Sequence, residues 1–267
     1  MTEDGMPGII TLTTDFGPGA YVGAMKGAIL SIDPDLTIVD LDHLVRAHDV
    51  RHGAFVLYSS LPYYPFAVHV GVVDPGVGTK RRAILCVCEG ALLVGPDNGL
   101  LIPAAKRLGL KEVREIANRR LGRPELSDTF HGRDLFAPAA AHLLSGAKVK
   151  DVGPVVKDFV DLDFGVTKKR KGGFEGVVIT YDRFGNIVTN IPQSDVEKAW
   201  SFGDRLAVTI GGYEMTVPFV RTYGIVAPGD FLATMASSGF LEISRRESNA
   251  ASQLEATPGM HVSVTKL

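Results

Sequence analysis

Asp74 and Arg81 stand at the two ends of a short glycine-rich run, Val-Val-Asp74-Pro-Gly-Val-Gly-Thr-Lys-Arg81. A second polar run, Thr129-Phe130-His131-Gly132-Arg133-Asp134, comes just before an alanine-rich stretch. A carboxylate, a guanidinium and an imidazole brought together can orient a small nucleophile and take its proton. An Asp–Arg pair beside a turn is also a common structural ion pair, so spacing alone leaves both readings open.

The elements that must position these groups can be read from periodicity. Residues 66–73 are an apolar, β-branched run that reads as a buried strand, which places Asp74 where a strand of an α/β sheet meets its loop. Further strands are expected over 9–14, 36–41, 83–88, 91–94 and 112–116. Helices are expected over 21–32, 50–61, 100–108 and 135–145, the last tolerating Pro138 in its first turn. The run 95–99 (GPDNG) signals a turn, and Asp97 or Asn98 could cap the helix that follows. Such alternation predicts an α/β domain over 1–165, built on a mostly parallel sheet covered by helices. Residues 166–173 (VTKKRKGG) are charged and glycine-ended, and read as a linker rather than a nucleic-acid tail. Beyond them, 174–267 carry short strands at 176–181, 187–190, 206–210, 214–217, 231–236, 239–244 and 261–265. With almost no helical period, these predict a small antiparallel β-barrel.

Composition narrows the function classes. The 267 residues are enough for two cores, and 22% charged with 45% apolar residues is ordinary for a soluble globular protein. A net charge of −2 offers no basic field for nucleic acid or an anionic membrane. The apolar runs are too short to span a bilayer, and the start MTEDGMPG lacks a signal-peptide pattern, so a cytoplasmic protein is expected. The two cysteines, Cys86 and Cys88, are two apart on a strand and share one face. Nothing else completes a metal site with them, and they read as small core residues in a reducing compartment.

Other runs imitate known motifs. Gly17-Pro-Gly19-Ala-Tyr-Val-Gly23 resembles a dinucleotide fingerprint, with Asp40 and Asp42 near the place of its ribose acid. Its last glycine comes one position late and Pro18 lacks an N–H for pyrophosphate. Gly76-Val-Gly-Thr-Lys80 lacks the spacing of a phosphate loop. His43, His48 and His52, with Asp42 and Asp49, are spaced so that one helix face cannot present all three histidines, and a solvated face is expected there. No Gly-x-Ser-x-Gly elbow supplies a hydrolase nucleophile.

Taken in order, the runs Thr11-Leu-Thr-Thr-Asp15-Phe-Gly17, Val73-Asp74-Pro-Gly-Val-Gly-Thr79, Gly95-Pro-Asp-Asn-Gly99, Thr129-Phe-His-Gly-Arg-Asp134, Asp182-Arg-Phe-Gly-Asn186 and Asn249-Ala-Ala251 span both domains. With these runs the chain resembles the S-adenosylmethionine hydroxide adenosyltransferases, relatives of the fluorinating and chlorinating enzymes. The resemblance implies a Rossmann-like N-terminal domain with helices on both faces, a C-terminal antiparallel β-barrel and a homotrimer. It also implies a substrate lying between one subunit's N-terminal domain and its neighbour's C-terminal domain. The reaction implied is S-adenosylmethionine plus water giving adenosine and L-methionine, with no metal and no cofactor beyond that substrate.

By this resemblance Asp74, Arg81 and His131 handle the water. Asp15 is a candidate for the ribose diol, although its carboxylate could equally cap the following helix. Phe16 and Phe130 could face the adenosine or be core. Gly132 is shared with the chlorinating type, whereas the fluorinating relatives carry serine there and tyrosine at the place of Asp74. Asp182 is a candidate for the substrate ammonium and Asn186 for the methionine moiety, though the same run alone reads as a hairpin turn. Ser237 and Ser238 match the region that holds the methionine carboxylate, and Asn249 and Ala250 the segment that reads adenine. Two departures stand out: Ala236-Ser237-Ser238 where relatives often show Asn-Ser, and Arg245-Arg-Glu-Ser248 before Asn249. Besides hydrolysis, a chlorinase-type halogenase, a non-catalytic adenosine or S-adenosylmethionine binder and a nicotinamide-dependent oxidoreductase are compatible readings.

Overall fold

Alternate side chains of the central strands point into opposite helical layers, and this fixes where the strand ends, with their polar loops, emerge. The computed structural model describes residues 8–64 and 66–267. Residues 1–7 of the start that lacks a signal-peptide pattern lie outside the described residues. The chain forms two compact units, residues 1–163 and 164–267.

The first unit contains β1 (Ile9–Thr14), α1 (Ala20–Leu30), β2 (Thr37–Asp42), α2 (Val50–Ser60), β3 (Val68–Val72), β4 (Ala83–Val87), β5 (Leu92–Pro96), α3 (Ile102–Arg107), β6 (Glu112–Glu115), α4 (Ala137–Leu144) and β7 (Val155–Val156). Its 7-stranded sheet has the order β2-β1-β3-β5-β4-β6-β7. The pairings β1–β2, β1–β3 and β3–β5 are parallel. Those of β4 with β5 and β6, and of β6 with β7, are antiparallel. The sheet is therefore mixed rather than mostly parallel, because a tight turn between β4 and β5 allows only an antiparallel return. Ile10, Leu12, Val68, Val70 and Val72 pack in one core with Val22, Met25 and Ile29 of α1 and the alanine-rich α4. On the other face, Gly71 lies against Leu57 of α2 and Leu100 and Leu101 ahead of α3. Helices thus cover both faces.

Neither expected cap of the third helix forms. Helix α3 starts at Ile102 without a side-chain cap. Asn98 instead accepts from the Leu100 N–H at 3.1 Å and donates its amide to the Val73 carbonyl at 2.8 Å. Asp97 accepts from Arg82 and from the Val160 N–H. Both residues tie strand ends together, because orphan groups there outcompete the helix start. Cys86 and Cys88 are buried free thiols, as their spacing on β4 and just beyond it suggests.

The second unit contains β8 (Lys168–Arg170), β9 (Gly173–Tyr181), β10 (Ile187–Pro192), α5 (Gln193–Ala199), β11 (Arg205–Ile210), β12 (Tyr213–Pro218), β13 (Phe231–Met235), β14 (Phe240–Arg245), α6 (Ala250–Gln253) and β15 (His261–Lys266). Antiparallel pairing runs β12-β11-β15-β9-β10-β14-β13. A bridge between Phe219 and Ala233 joins the two ends of that path, leaving a nearly closed barrel. Two features differ from expectation. Lys168–Arg170 pair with the start of β9 as an exposed edge strand instead of a linker; lysine-rich edges of this kind discourage further strand addition. The short helices α5 and α6 escape periodicity because each spans two turns or fewer. Among the described residues no helix is long and apolar enough to cross a membrane.

Candidate active site

The loop from Asp74 to Arg81 is a chain of tight turns. Val77 N–H bonds the Asp74 carbonyl at 3.2 Å, Thr79 N–H bonds the Gly76 carbonyl at 3.2 Å, and Arg81 N–H reaches Thr79 Oγ1 at 3.3 Å. The chain folds back so that Arg81 returns to Asp74. Gly78, at φ +75°, lets this loop press on the 127–129 segment: a Cβ there would lie 2.3 Å from the Asp128 carbonyl oxygen. Close approach of these two loops is what brings Arg81 within reach of His131.

His131 comes from a different device. It directly precedes a π-turn, Gly132–Phe136, that runs into α4. Fully buried Asp134 anchors that turn, accepting from Arg133 Nε at 2.6 Å, Arg133 Nη2 at 2.9 Å and the Ser127 N–H at 2.9 Å. Single π-turns inside helices occur often at functional sites, and no periodic signal in the sequence announces this one.

The three groups meet. Arg81 Nε donates to Asp74 Oδ1 at 2.9 Å and Oδ2 at 3.0 Å, Nη2 also bonds Oδ2, and Nη2 lies 2.8 Å from His131 Nδ1. The Asp74 and Arg81 side chains are only 6% and 10% exposed. A guanidinium has donors only, so His131 Nδ1 is the acceptor and the neutral ring carries its hydrogen on Nε2. Burial, and then the Arg81 charge, lower the His131 pKa below its usual value, Asp74 opposing them. The imidazole is therefore neutral at neutral pH.

Asp74, His131 and Gly132 line a cavity of about 240 Å³ with Asp15, Phe16, Ala47, His48, Val72, Val77, Thr129 and Phe130. Phe16 and Phe130 meet edge to face at 5.6 Å. A Cβ on buried Gly132 would come within 3.3 Å of Met25 Sδ and 3.4 Å of both rings. Asp15 does not cap α1, whose cap position is Gly19 without a side-chain bond; its Oδ2 accepts the His48 N–H at 2.9 Å. His48 is a lining residue that sequence reasoning missed, since its place depends on a backbone turn.

The histidine cluster is not a solvated face. His43 Nδ1 bonds Thr14 Oγ1 at 2.9 Å and its Nε2 lies 3.0 Å from Asp40 Oδ1, the side chain being 9% exposed. His52 Nδ1 accepts the Arg46 N–H at 3.0 Å. Only His48 is exposed. The His43 and His52 rings thus answer partners outside any shared helix face, Thr14 and Asp40 for one and the Arg46 backbone for the other, and among the described residues no group of three or more His, Cys, Asp and Glu could hold a metal ion.

The second unit carries its own pocket of about 540 Å³, lined by Phe184, Asn186, Tyr223, Arg245, Arg246, Glu247 and Ser248. Asp182 accepts from the Phe184 and Asn186 N–H groups at 2.9 Å each and from Asn186 Nδ2 at 2.9 Å. Gly185, at φ +86°, leaves room for Asn249, whose Oδ1 would lie 2.1 Å from a Cβ there. Asn249 caps α6 through the Ser252 N–H at 2.7 Å, and Ala250 is buried at its start. Ser237 and Ser238 form the turn between β13 and β14, with the buried Ser238 Oγ left without a hydrogen-bond partner.

Residues 10–153 match the SAM hydroxide adenosyltransferase N-terminal domain and residues 176–263 the corresponding C-terminal domain. An (R)-S-adenosyl-L-methionine hydrolase of Salinispora tropica is 40% identical over 96% of this chain and 97% of its own length. A solved structure of a conserved protein from Thermotoga maritima superposes with a TM-score of 0.90 at 36% identity, covering 96% of this chain and 99% of that one. A fluorinase of Actinoplanes sp. stands further off at 28% identity, with full coverage of both chains. With both domains matched in order, the chain belongs to the S-adenosylmethionine hydroxide adenosyltransferase family.

Proposed function

We propose that the protein hydrolyses S-adenosyl-L-methionine by attack of water at the ribose 5′ carbon, giving adenosine and L-methionine. The observation that carries this reading is the Asp74–Arg81–His131 chain, whose two ends, Asp74 and His131, line one cavity while Arg81 ties them together from behind. Relatives that share about 40% identity over nearly their whole length are named for this hydrolysis.

The leaving group is a neutral thioether departing from a sulfonium, so the C5′–S electron pair returns to sulfur without assistance. Activating the nucleophile is the harder part, since bulk water has a pKa of about 15.7. The Arg81 guanidinium favours the hydroxide form of a water beside it. His131 presents Nε2–H as a donor, its other nitrogen being engaged by Arg81. Asp74 is then the triad member with lone pairs to accept the proton, as the new C5′–O bond forms and the C5′–S bond breaks. The carboxylate also disfavours a halide in the same place, which supports water over chloride. The scheme calls for no metal and no further cofactor.

In the rest of the proposal, Asp15 holds the ribose diol, Phe16 and Phe130 flank the nucleoside, and Gly132 keeps the wall low. Asp182 and Asn186 receive the amino-acid end, Ser237 and Ser238 its carboxylate, and Asn249 and Ala250 the adenine. The assembly proposed is a cytoplasmic homotrimer in which a neighbour's barrel completes each site; family resemblance supports it. The test is turnover in ¹⁸O-water with and without chloride. Adenosine labelled at its 5′ oxygen, with unlabelled methionine, is expected; a chlorinated nucleoside as main product would overturn the reading.

A further inference from the structure

Among the described residues His48 is one of three non-glycine residues with a left-handed backbone, at φ +64°. The local cause is visible. Asp49 caps α2 by accepting the His52 N–H at 2.8 Å, and it also pairs with Arg46 Nε at 3.0 Å. His52 in turn accepts the Arg46 N–H at 3.0 Å. The chain must therefore reverse between Arg46 and Asp49, and the residue just outside the cap takes the positive φ. Histidine tolerates that conformation better than most side chains, and far better than a β-branched one.

Reversal there has a consequence for the cavity. It aims the His48 N–H at Asp15 Oδ2, at 2.9 Å. The same segment is tied to the exit of β1 twice more, by the Gly17 N–H on the His43 carbonyl at 2.8 Å and by Thr14 on His43 at 2.9 Å. Asp15 is thus held on the cavity wall by a backbone donor whose direction depends on one strained residue.

We propose that His48 is a positioning residue for substrate recognition: its left-handed backbone, through the N–H to Asp15, sets the carboxylate's orientation toward the ribose diol. This rests on the reading of Asp15 as the diol-binding group. One Asp15 oxygen takes the His48 donor, and the remaining lone pairs are directed as a set, so diol recognition depends on that turn.

The test compares kcat/KM for S-adenosylmethionine and its 2′-deoxy analogue in His48→Gly, His48→Asn, His48→Ala and His48→Val, with folding followed by thermal melting. Glycine and asparagine accept a positive φ. They retain the preference for the ribose substrate within about threefold of wild type, even where the lost imidazole lowers the overall rate. Valine, and alanine as the milder variant, reduce that preference by about tenfold or more through KM for the ribose substrate. An unchanged preference in the folded alanine or valine protein overturns the proposal. Equal loss in the glycine and asparagine proteins overturns it too, assigning the effect to the imidazole. Asp15→Asn separates the underlying reading: if it leaves the preference untouched, Asp15 does not read the diol, whatever the His48 series shows.

Discussion

The Arg81 guanidinium donates to Nδ1 of His131 across 2.8 Å while its other edge holds Asp74. One planar cation therefore sets both the tautomer of the imidazole and the direction of the carboxylate. Lysine cannot replace it, since a point charge has no fork to span two acceptors. Arg81→Lys is expected to lower kcat by about 100-fold or more in S-adenosylmethionine turnover. Retention of near wild-type kcat would contradict the assigned geometry.

Asp74→Asn keeps the shape and removes the proton acceptor. A loss of about 10²–10⁴-fold in kcat is expected for a removed general base, with substrate affinity by calorimetry changed much less. Comparable loss of affinity would make Asp74 a binding group and not a base.

His131 is held neutral by burial and by Arg81, so its pKa lies below the usual imidazole value. A lowered pKa means the active, neutral ring survives as acid is added until the pH drops below about 6.5. The acid limb of the kcat/KM profile is expected below that value. His131→Asn removes this limb along with most activity, and a limb that persists unshifted would assign it elsewhere.

His69, on β3, is fully buried against Thr11 at 2.8 Å, and burial pulls its pKa down to about 4 against an opposing contribution from the Tyr64 backbone. The unfolded chain takes up this proton near pH 6.5, whereas the folded one resists until about 4. Stability therefore falls as pH drops across that window, by roughly 3 kcal/mol at its lower end. Urea midpoints at pH 7 and pH 4.5 should show this loss in wild type and a smaller one in His69→Gln.

Gly78→Ala tests the contact between the two polar loops. A Cβ would meet the Asp128 carbonyl oxygen at 2.3 Å in a backbone with φ +75°. A cost of about 2 kcal/mol is expected from the conformation alone, together with reduced turnover as Arg81 moves away from His131. Wild-type turnover with lowered stability would show that the triad survives loop displacement.

The fold was legible where burial alone dictates residue choice. β1 matches its expected span of 9–14, because a strand buried on both faces tolerates only apolar and small β-branched residues. Residues 168–170 were not legible as a strand, since an exposed edge takes charged residues that look like a linker. The histidines at 43 and 52 misled for a similar reason: their partners lie on β1, β2 or a loop backbone, and local spacing carries no trace of them. Asp74 and Arg81 could be paired from sequence because one short loop joins them. Their link to His131 depends on a π-turn and on the fit of two loops at Gly78, neither of which has a period to read.

The sealed sulfurs of Cys86 on β4 and Cys88 just beyond it offer a practical opening. Burial pushes the Cys88 thiol up to about 12 and raises that of Cys86 as well, so neither supplies a thiolate for alkylation under ordinary conditions. A cysteine introduced on the rim of either pocket would then be the one handle that a maleimide dye finds, and loop movement during turnover could be followed by fluorescence without first stripping the native chain of sulfur.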